Sequence, residues 1–259
     1  MSTTGIELLI SAGAVTGKQA LMRLIESLCQ ATTDKTKKLL RNLKTERQIS
    51  QLYSQIGKVR KVKTLGQLDK AVDLTSFYCD SHIYIKKTRK KIRRVSDFGL
   101  GENILIEGIA GQGKSIFLRY LCGVELMLGQ YLPVFVELRK ITDNQSLVDC
   151  ILQALKGYHL DLTNEILSEL ADTGKLLLLF DAFDEVRDDL KQRILHEIER
   201  FADEHEKLRI LITSRPESGV ATCPLEITKR LFDFANEAMT YIAREEQCDT
   251  IIPLKKSSV

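Results

Sequence analysis

A stretch of eight residues with three glycines most narrowly limits what this chain can fold into. It consists of Gly108, Ile109, Ala110, Gly111, Gln112, Gly113, Lys114 and Ser115, and it fits the pattern G-x-x-x-x-G-K-[ST] at every fixed position. Its glycines permit a tight turn with inward-pointing backbone N–H groups. Lys114 adds a positive charge for the outer phosphates, and Ser115 offers a hydroxyl to Mg²⁺. The stretch therefore predicts a loop that binds the phosphates of ATP or GTP.

The segments around this loop alternate between apolar strands and amphipathic helices, as in a parallel sheet covered by helices. The predicted strands are Ile104–Glu107, Leu132–Leu138, Lys175–Phe180 and Leu208–Thr213. The predicted helices are Ser115–Leu128, Ser146–Leu155, Leu162–Ala171 and Leu190–Glu206. The loop thus follows a strand and opens a helix, which is the context that a phosphate loop requires. We predict an α/β fold, a P-loop NTPase sheet flanked by helices.

Acidic residues follow the most apolar of these strands. Asp181 ends the strand, and Asp184 and Glu185 come three and four residues later. The end of a buried parallel strand places Asp181 at the edge of the sheet where the phosphate loop lies, so Asp181 is predicted to hold Mg²⁺ together with Ser115. Asp184 and Glu185 are predicted catalytic residues, one of which would orient the attacking water and accept its proton.

The last predicted strand ends in Thr213, Ser214 and Arg215. Arg215 is predicted to carry positive charge to the γ-phosphate. An equally good interpretation is a turn that Pro216 forces at the end of the strand. The sequence leaves both interpretations open.

The first hundred residues differ from the rest in pattern and charge. They hold 20 Lys and Arg against 8 Asp and Glu, whereas the remainder holds 18 against 27. Residues 5–52 are predicted to be helical, Val59–Leu65 and Ser76–Ile85 have strand-like content, and the basic run Lys86–Arg94 is predicted to be a surface connection. We predict a mainly helical basic domain over 1–95, a nucleotide-binding core over 96–222, and a short helical tail over 223–259 with one helix at Ala235–Glu246.

The composition narrows the classes of protein that remain. The chain of 259 residues is 44% hydrophobic, which is enough for a packed core. Its six cysteines contain no CxxC pair, so neither a zinc site nor a disulfide framework is indicated. No basic region precedes the short apolar stretch Ile6–Ile10, so we expect neither a signal peptide nor a membrane segment, and a cytoplasmic location.

Four ordered segments resemble the NACHT module of the STAND class of signalling ATPases. They read G-I-A-G-Q-G-K-S, L-P-V-F-V-E-L-R-K, L-L-L-L-F-D-A-F-D-E-V and I-L-I-T-S-R-P, and they fall within residues 100–220. The small residue Ala182 and the acidic pair that follows it are the more specific marks. Residues 62–65 and 73–78 are similar to the region before NACHT in bacterial NLR-like defence proteins.

The resemblance implies a switch. It implies ATP or ADP with Mg²⁺ as ligands, a closed ADP-bound form, exchange for ATP, and assembly with further copies of the chain. It also implies a role in immunity, against phage in bacteria. Only 44 residues follow Arg215, fewer than the helical, winged-helix and sensor regions of the family need, so we expect a truncated form or a separate sensor or effector partner.

Two other functions remain open from the sequence. The basic first hundred residues would suit a nucleic-acid-dependent ATPase, although aromatic residues for stacking bases are sparse there. A core that binds nucleotide without turnover, as a non-enzyme, is the other. For the NACHT interpretation we expect weak ATP hydrolysis, because a switch depends on which nucleotide is bound rather than on flux.

Overall fold

A computed structural model describes residues 16–43, 45–64, 67–74, 78, 82–85, 88–98, 103–109, 111–215 and 242–244. Within them, a seven-stranded sheet runs in the order β4-β3-β9-β5-β8-β7-β6. The strands from β9 to β6 are parallel, and the hairpin of β3 and β4 continues the sheet antiparallel to β9. A separate antiparallel pair consists of β1 and β2.

The described residues form seven α-helices and nine β-strands, numbered here in chain order. The helices are α1 (Gly17–Ala31), α2 (Asp34–Asn42), α3 (Glu46–Gly57), α4 (Lys114–Leu128), α5 (Leu147–Gly157), α6 (Asn164–Asp172) and α7 (Asp188–Glu204). The strands are β1 (Lys61–Thr64), β2 (Gln67–Asp73), β3 (His82–Ile85), β4 (Thr88–Lys91), β5 (Asn103–Glu107), β6 (Leu132–Glu137), β7 (Leu176–Asp181), β8 (Arg209–Ser214) and β9 (Ile242–Arg244). This order confirms the predicted P-loop NTPase sheet flanked by helices, with a helical N-terminal region before it.

Burial explains why these segments adopt these elements. All six residues of β7 are buried, as expected of a parallel strand covered on both faces. Helix α4 buries every residue from Tyr120 to Leu126, because it lies between the sheet and the N-terminal helices. The loop that precedes α4 is thereby anchored to the most enclosed helix among the described residues.

The N-terminal helices pack directly on α4. Helix α1 buries one face that includes Leu21, Ile25 and Leu28, and a capping box of Thr16 and Gln19 fixes its start. Its residues belong to the same hydrophobic core as the strands of the sheet. Tyr78 also stacks on Tyr120 of α4, with ring centroids 3.9 Å apart. The N-terminal region and the sheet are therefore continuous in packing.

This architecture corrects one sequence interpretation and adds one strand that was not predicted. The basic run Lys86–Arg94, predicted as a surface connection, contains β4, which is the outermost strand of the seven-stranded sheet. Strand β2, which was not predicted, pairs with β1. The hydrophobic pattern could not show either strand, because both segments are rich in charged residues that suit exposed edges.

The predicted C-terminal helix is wrong at the residues that can be checked. Three residues of Ala235–Glu246 are described, and these residues, Ile242–Arg244, form β9 in parallel register with β5. The other residues of that prediction lie outside the described part, as do the predicted helical residues 5–15. The domain division at 95 and 222 stays a prediction.

None of the described helices combines the length and the apolar character that crossing a bilayer requires.

Candidate nucleotide-binding site

The phosphate loop adopts the turn that its glycines were predicted to allow. Gly111 and Gly113 have φ angles of 81° and 71°, in the left-handed region that favours glycine. A Cβ atom on Gly111 would meet no other atom within 4 Å, so this glycine is required by its backbone and not by crowding. The Gln112 side chain closes the turn, because its Oε1 accepts a hydrogen bond of 2.8 Å from the Ile109 N–H. Ala110 lies outside the described residues.

Lys114 bends back over the loop. Its ammonium group donates to the carbonyl oxygen of Gly108 and, at 3.0 Å, to that of Ile109. Partial burial lowers the pKa of Lys114, although the charges of Asp184, Asp181 and Glu185 act in the opposite direction. The ammonium group therefore lies among anionic side chains, at the mouth of a loop suited to phosphate.

Asp181 is held in place by the neighbouring strand. It is 4% exposed, and its Oδ1 accepts a hydrogen bond of 2.8 Å from the hydroxyl of the fully buried Thr213. That hydroxyl also accepts a bond of 2.8 Å from the Ala182 N–H. Ala182 has a φ of 60°, in the left-handed region where residues other than glycine are uncommon. The small residue after Asp181 thus turns the chain so that Thr213 can bridge the two strands.

Asp184 and Glu185 share a cation with the end of β8. Arg215 Nε lies 2.8 Å from Asp184 Oδ2, and its terminal nitrogen lies 3.7 Å from Glu185 Oε1. Burial raises the pKa of Asp184 above its ordinary value, while the charges of Arg215 and Lys114 act to lower it. A carboxyl group with a raised pKa is suited to accepting a proton.

The site residues therefore come from three adjacent strands. Lys114 follows β5, Asp181 ends β7, and Arg215 follows β8, and the order β5-β8-β7 brings these carboxyl ends together. Such an edge is where ligands of open α/β sheets bind. The profile of the NACHT domain family matches residues 102–243, which is more than half of the chain.

The chain belongs to the NACHT family.

The NACHT match indicates the general function of the chain. NACHT domains are P-loop NTPases of signalling type, and this family binds nucleotide with Mg²⁺. The match ends at residue 243, within β9, so the matched module extends into this strand. No curated protein is significantly similar to the chain.

The residues of this NACHT site fit a magnesium nucleotide. Within the described residues, no group of three or more His, Cys, Asp and Glu side chains is arranged to hold a metal ion. Mg²⁺ at nucleotide sites is commonly held by one or two protein ligands together with phosphate oxygens and water. Ser115 is the second residue of α4, directly after Lys114, and Asp181 is fixed by Thr213, so both can serve as those ligands.

The NACHT site contains two charged residues that the sequence had not singled out. Glu137 ends β6 and is the register partner of Asp181 in β7. Arg139 lies 3.2 Å from Glu185 and 3.0 Å from Glu137. Both residues lie in the segment L-P-V-F-V-E-L-R-K, one of the four that resemble NACHT. A charged pair at the end of an apolar strand is the pattern that would have found them.

Proposed function

We propose that this NACHT protein is an ATP-dependent signalling switch with slow hydrolysis of ATP to ADP and phosphate. The observation that supports it is the convergence of Lys114, Asp181, Asp184, Glu185 and Arg215 on the phosphate loop, as judged by their ion pairs and mutual charge effects. Such a set provides phosphate binding, a magnesium ligand, a proton acceptor and a half-exposed positive charge.

The residues divide the work as follows. The loop residues 108–115 bind the triphosphate, and Ser115 and Asp181 hold Mg²⁺, which supplies charge neutralisation to the phosphate oxygens. Asp184 and Glu185 orient the attacking water, and one of them accepts its proton. The raised pKa of Asp184 favours that residue as the acceptor.

Arg215 is suited to report which nucleotide is bound. Its guanidinium is about half exposed, and its contacts with Asp184 and Glu185 join side chains that face the phosphate loop. A γ-phosphate offers the same guanidinium a second anion with bidentate geometry. Transfer of Arg215 from the carboxylates to the phosphate would distinguish ATP from ADP.

The switch has consequences beyond the site. We propose that ADP retains a closed form and that ATP allows assembly with further copies of the chain or with a sensor or effector partner. The resemblance of residues 62–65 and 73–78 to bacterial NLR-like proteins supports antiphage defence as the setting.

The decisive experiment is titration of ATP and ADP with the wild type and Lys114→Ala, with light scattering after size exclusion on the same samples. Lys156→Ala is a matched control, because Lys156 forms an exposed ion pair with Asp161, at 3.8 Å, on the surface. We expect wild type and Lys156→Ala to bind ATP and to gain mass with it, and Lys114→Ala to do neither. Equal ATP affinity in Lys114→Ala would refute the proposed site, and binding without a gain in mass would refute assembly by the chain alone.

A further inference from the structure

Glu137 is the centre of a group of charged side chains beside the proposed catalytic pair. Its carboxylate, which is 15% exposed, lies 3.2 Å from Arg119, 3.0 Å from Arg139 and in contact with Lys140. Burial acts to raise the pKa of Glu137, but the hydrogen bond and charge of Lys140, with Arg119 and Arg139, hold that pKa below its ordinary value. With these cations around it, Glu137 is a poor ligand for a metal ion, although it is the neighbour of Asp181 in the sheet.

Arg139 connects Glu137 to the proposed catalytic pair. One of its terminal nitrogens lies 3.0 Å from Glu137 Oε1, and the other lies 3.2 Å from Glu185 Oε2. Glu185 Oε1 faces Arg215 at 3.7 Å. The two oxygens of Glu185 are thus held by two guanidiniums from opposite sides, one following β6 and one following β8.

Arg119 connects Glu137 to the N-terminal region. One terminal nitrogen bonds the Val59 carbonyl oxygen at 3.0 Å, and the other lies 3.2 Å from Glu137 Oε1. The guanidinium also lies over the Phe135 ring, 4.4 Å from its centroid, which limits its movement. Arg119 belongs to α4, the helix that begins with Lys114.

We propose that Glu137 is a positioning residue, which fixes the position of the Glu185 carboxylate through Arg139. Through Arg119, Glu137 also makes the position of that carboxylate depend on the N-terminal segment at Val59. The inference rests on the proposed ATPase function and adds a route by which the N-terminal region regulates it. Displacing residues 58–60 from α4 removes the contact of Arg119 with the Val59 carbonyl and frees the Arg119 side chain. The positive charge beside Glu137 then changes, and the ion pair of Arg139 with Glu185 is weakened. Within the described residues, no hydrogen bond or ion pair joins Glu137, Arg119 or Arg139 to the phosphate loop, so the route acts on the rate of hydrolysis and not on ATP affinity.

The test compares Glu137→Gln with Glu169→Gln. Glu169 also ties the N-terminal region to the sheet domain, since it accepts hydrogen bonds from Thr33, but it has no contact with the charged group. We expect Glu137→Gln to lower the single-turnover rate of ATP hydrolysis by about 2- to 30-fold with the dissociation constant for ATP unchanged. Glu169→Gln should keep the wild-type rate. Equal rates for wild type and Glu137→Gln would overturn the proposal.

A second arm separates positioning from a general loss of folding. Arg139→Lys keeps one positive charge and should retain more of the rate than Arg139→Ala. In a double-mutant cycle, Glu137→Gln should have no further effect once Glu185→Gln is present, because its action passes through Glu185. Full additivity of the two changes would contradict the route.

A third set of variants tests the link to the N-terminal region with two arginines, Arg119 and Arg60, that both hold residues 58–60 against α4. Arg119→Ala removes the contacts with Val59 and Glu137, whereas Arg60→Ala removes contacts with Asp73 and Met127 that do not reach Glu137. We expect Arg119→Ala to lose more of the rate than Arg60→Ala, which only loosens residues 58–60 on α4 and leaves the contact of Arg119 with Glu137 in place, and equal loss in both variants would refute the route through Glu137. The failure of the parent function is distinct, because the wild type would then show no hydrolysis above Lys114→Ala.

Discussion

Arg215 and Asp184 form an ion pair in which Nε lies 2.8 Å from Oδ2, with the arginine about half exposed and the aspartate largely buried. The pair joins the residue after β8 to the turn after β7, so it crosses the sheet edge where the phosphate loop lies. Removal of Arg215 therefore changes the charge around Asp184, whether Arg215 also serves the γ-phosphate or only ends the strand.

Arg215→Ala should shift the pH dependence of hydrolysis. Burial already raises the pKa of Asp184, and Arg215 is the first of the charges that oppose this rise. Without Arg215 the pKa of Asp184 rises further, so the group is protonated up to a higher pH and the acid limb of the pH–rate profile moves upward. Single-turnover rates between pH 5 and pH 8 measure this. Arg187→Ala, which removes a surface arginine paired with Asp143 and Asp189, is the control and should keep the wild-type profile.

Thr213→Val should weaken both the site and the fold. Valine cannot donate to Asp181 or accept from the Ala182 N–H, and an unsatisfied buried N–H group costs about 1–3 kcal/mol. Loss of a residue that orients a metal ligand lowers metal affinity or activity by about 10- to 100-fold. Hydrolysis rates measured over a series of Mg²⁺ concentrations, with urea unfolding alongside, test both effects. Thr213→Ser keeps the hydroxyl and should retain most of the activity. A valine variant as active as the serine variant would show that Asp181 needs no such support.

Glu125→Gln should remove a pH dependence of stability. Glu125 is fully buried in α4, burial raises its pKa to about 7, and its Oε1 accepts a bond of 2.8 Å from the Val95 N–H. A raised pKa means that the stabilising contribution is complete below the unfolded value near 4.5 and is lost as pH rises through about 7. The free energy of unfolding of the wild type should therefore fall relative to Glu125→Gln by about 3 kcal/mol between pH 5 and pH 8.5. Urea unfolding at both pH values measures it, and parallel pH profiles for the two proteins would contradict it.

Gly129→Ala should disturb the packing of α1 on α4. Gly129 ends α4 with a φ of 64°, and a Cβ atom there would lie 2.5 Å from the carbonyl oxygen of Ala20 in α1. The left-handed backbone alone costs a residue with a Cβ atom about 1–2 kcal/mol, and the contact with rigid backbone adds to it. Gly57→Ala is the control, because its Cβ would meet no atom within 4 Å and its backbone is helical. Thermal unfolding should show a lower Tm for Gly129→Ala and an equal or higher Tm for Gly57→Ala.

The sequence predicted the central elements because their signals are local and strong. The strands that became β5, β6, β7 and β8 are apolar runs, and the phosphate loop has fixed glycine positions. The predicted and observed bounds of these four strands differ by at most one residue at each end. The family match and the sheet confirm the fold, while the site residues stay predictions that the geometry supports.

The remaining features depend on partners distant in sequence. Strand β4 is recognisable only by its pairing with β3, and β9 only by its place beside β5, since three residues carry no usable periodicity. The ion pair of Arg139 with Glu185 joins residues 46 positions apart, so the local sequence could point to Glu137 and Arg139 but not to Glu185 as their partner. The sequence could predict the type of residue at each strand end, but it could not predict which residue would be its ion-pair partner.

The continuous packing of the N-terminal helices with α4 has a practical consequence for anyone who wishes to isolate the nucleotide-binding module. A fragment that begins at residue 96 would leave Tyr120 without Tyr78 and Arg119 without the Val59 carbonyl, and it would expose the face of α4 that α1 covers. Apolar patches of that kind promote aggregation. Expression boundaries for the module should therefore be placed before α1. Proteolytic cleavage after residue 95 should give two fragments that remain bound to each other.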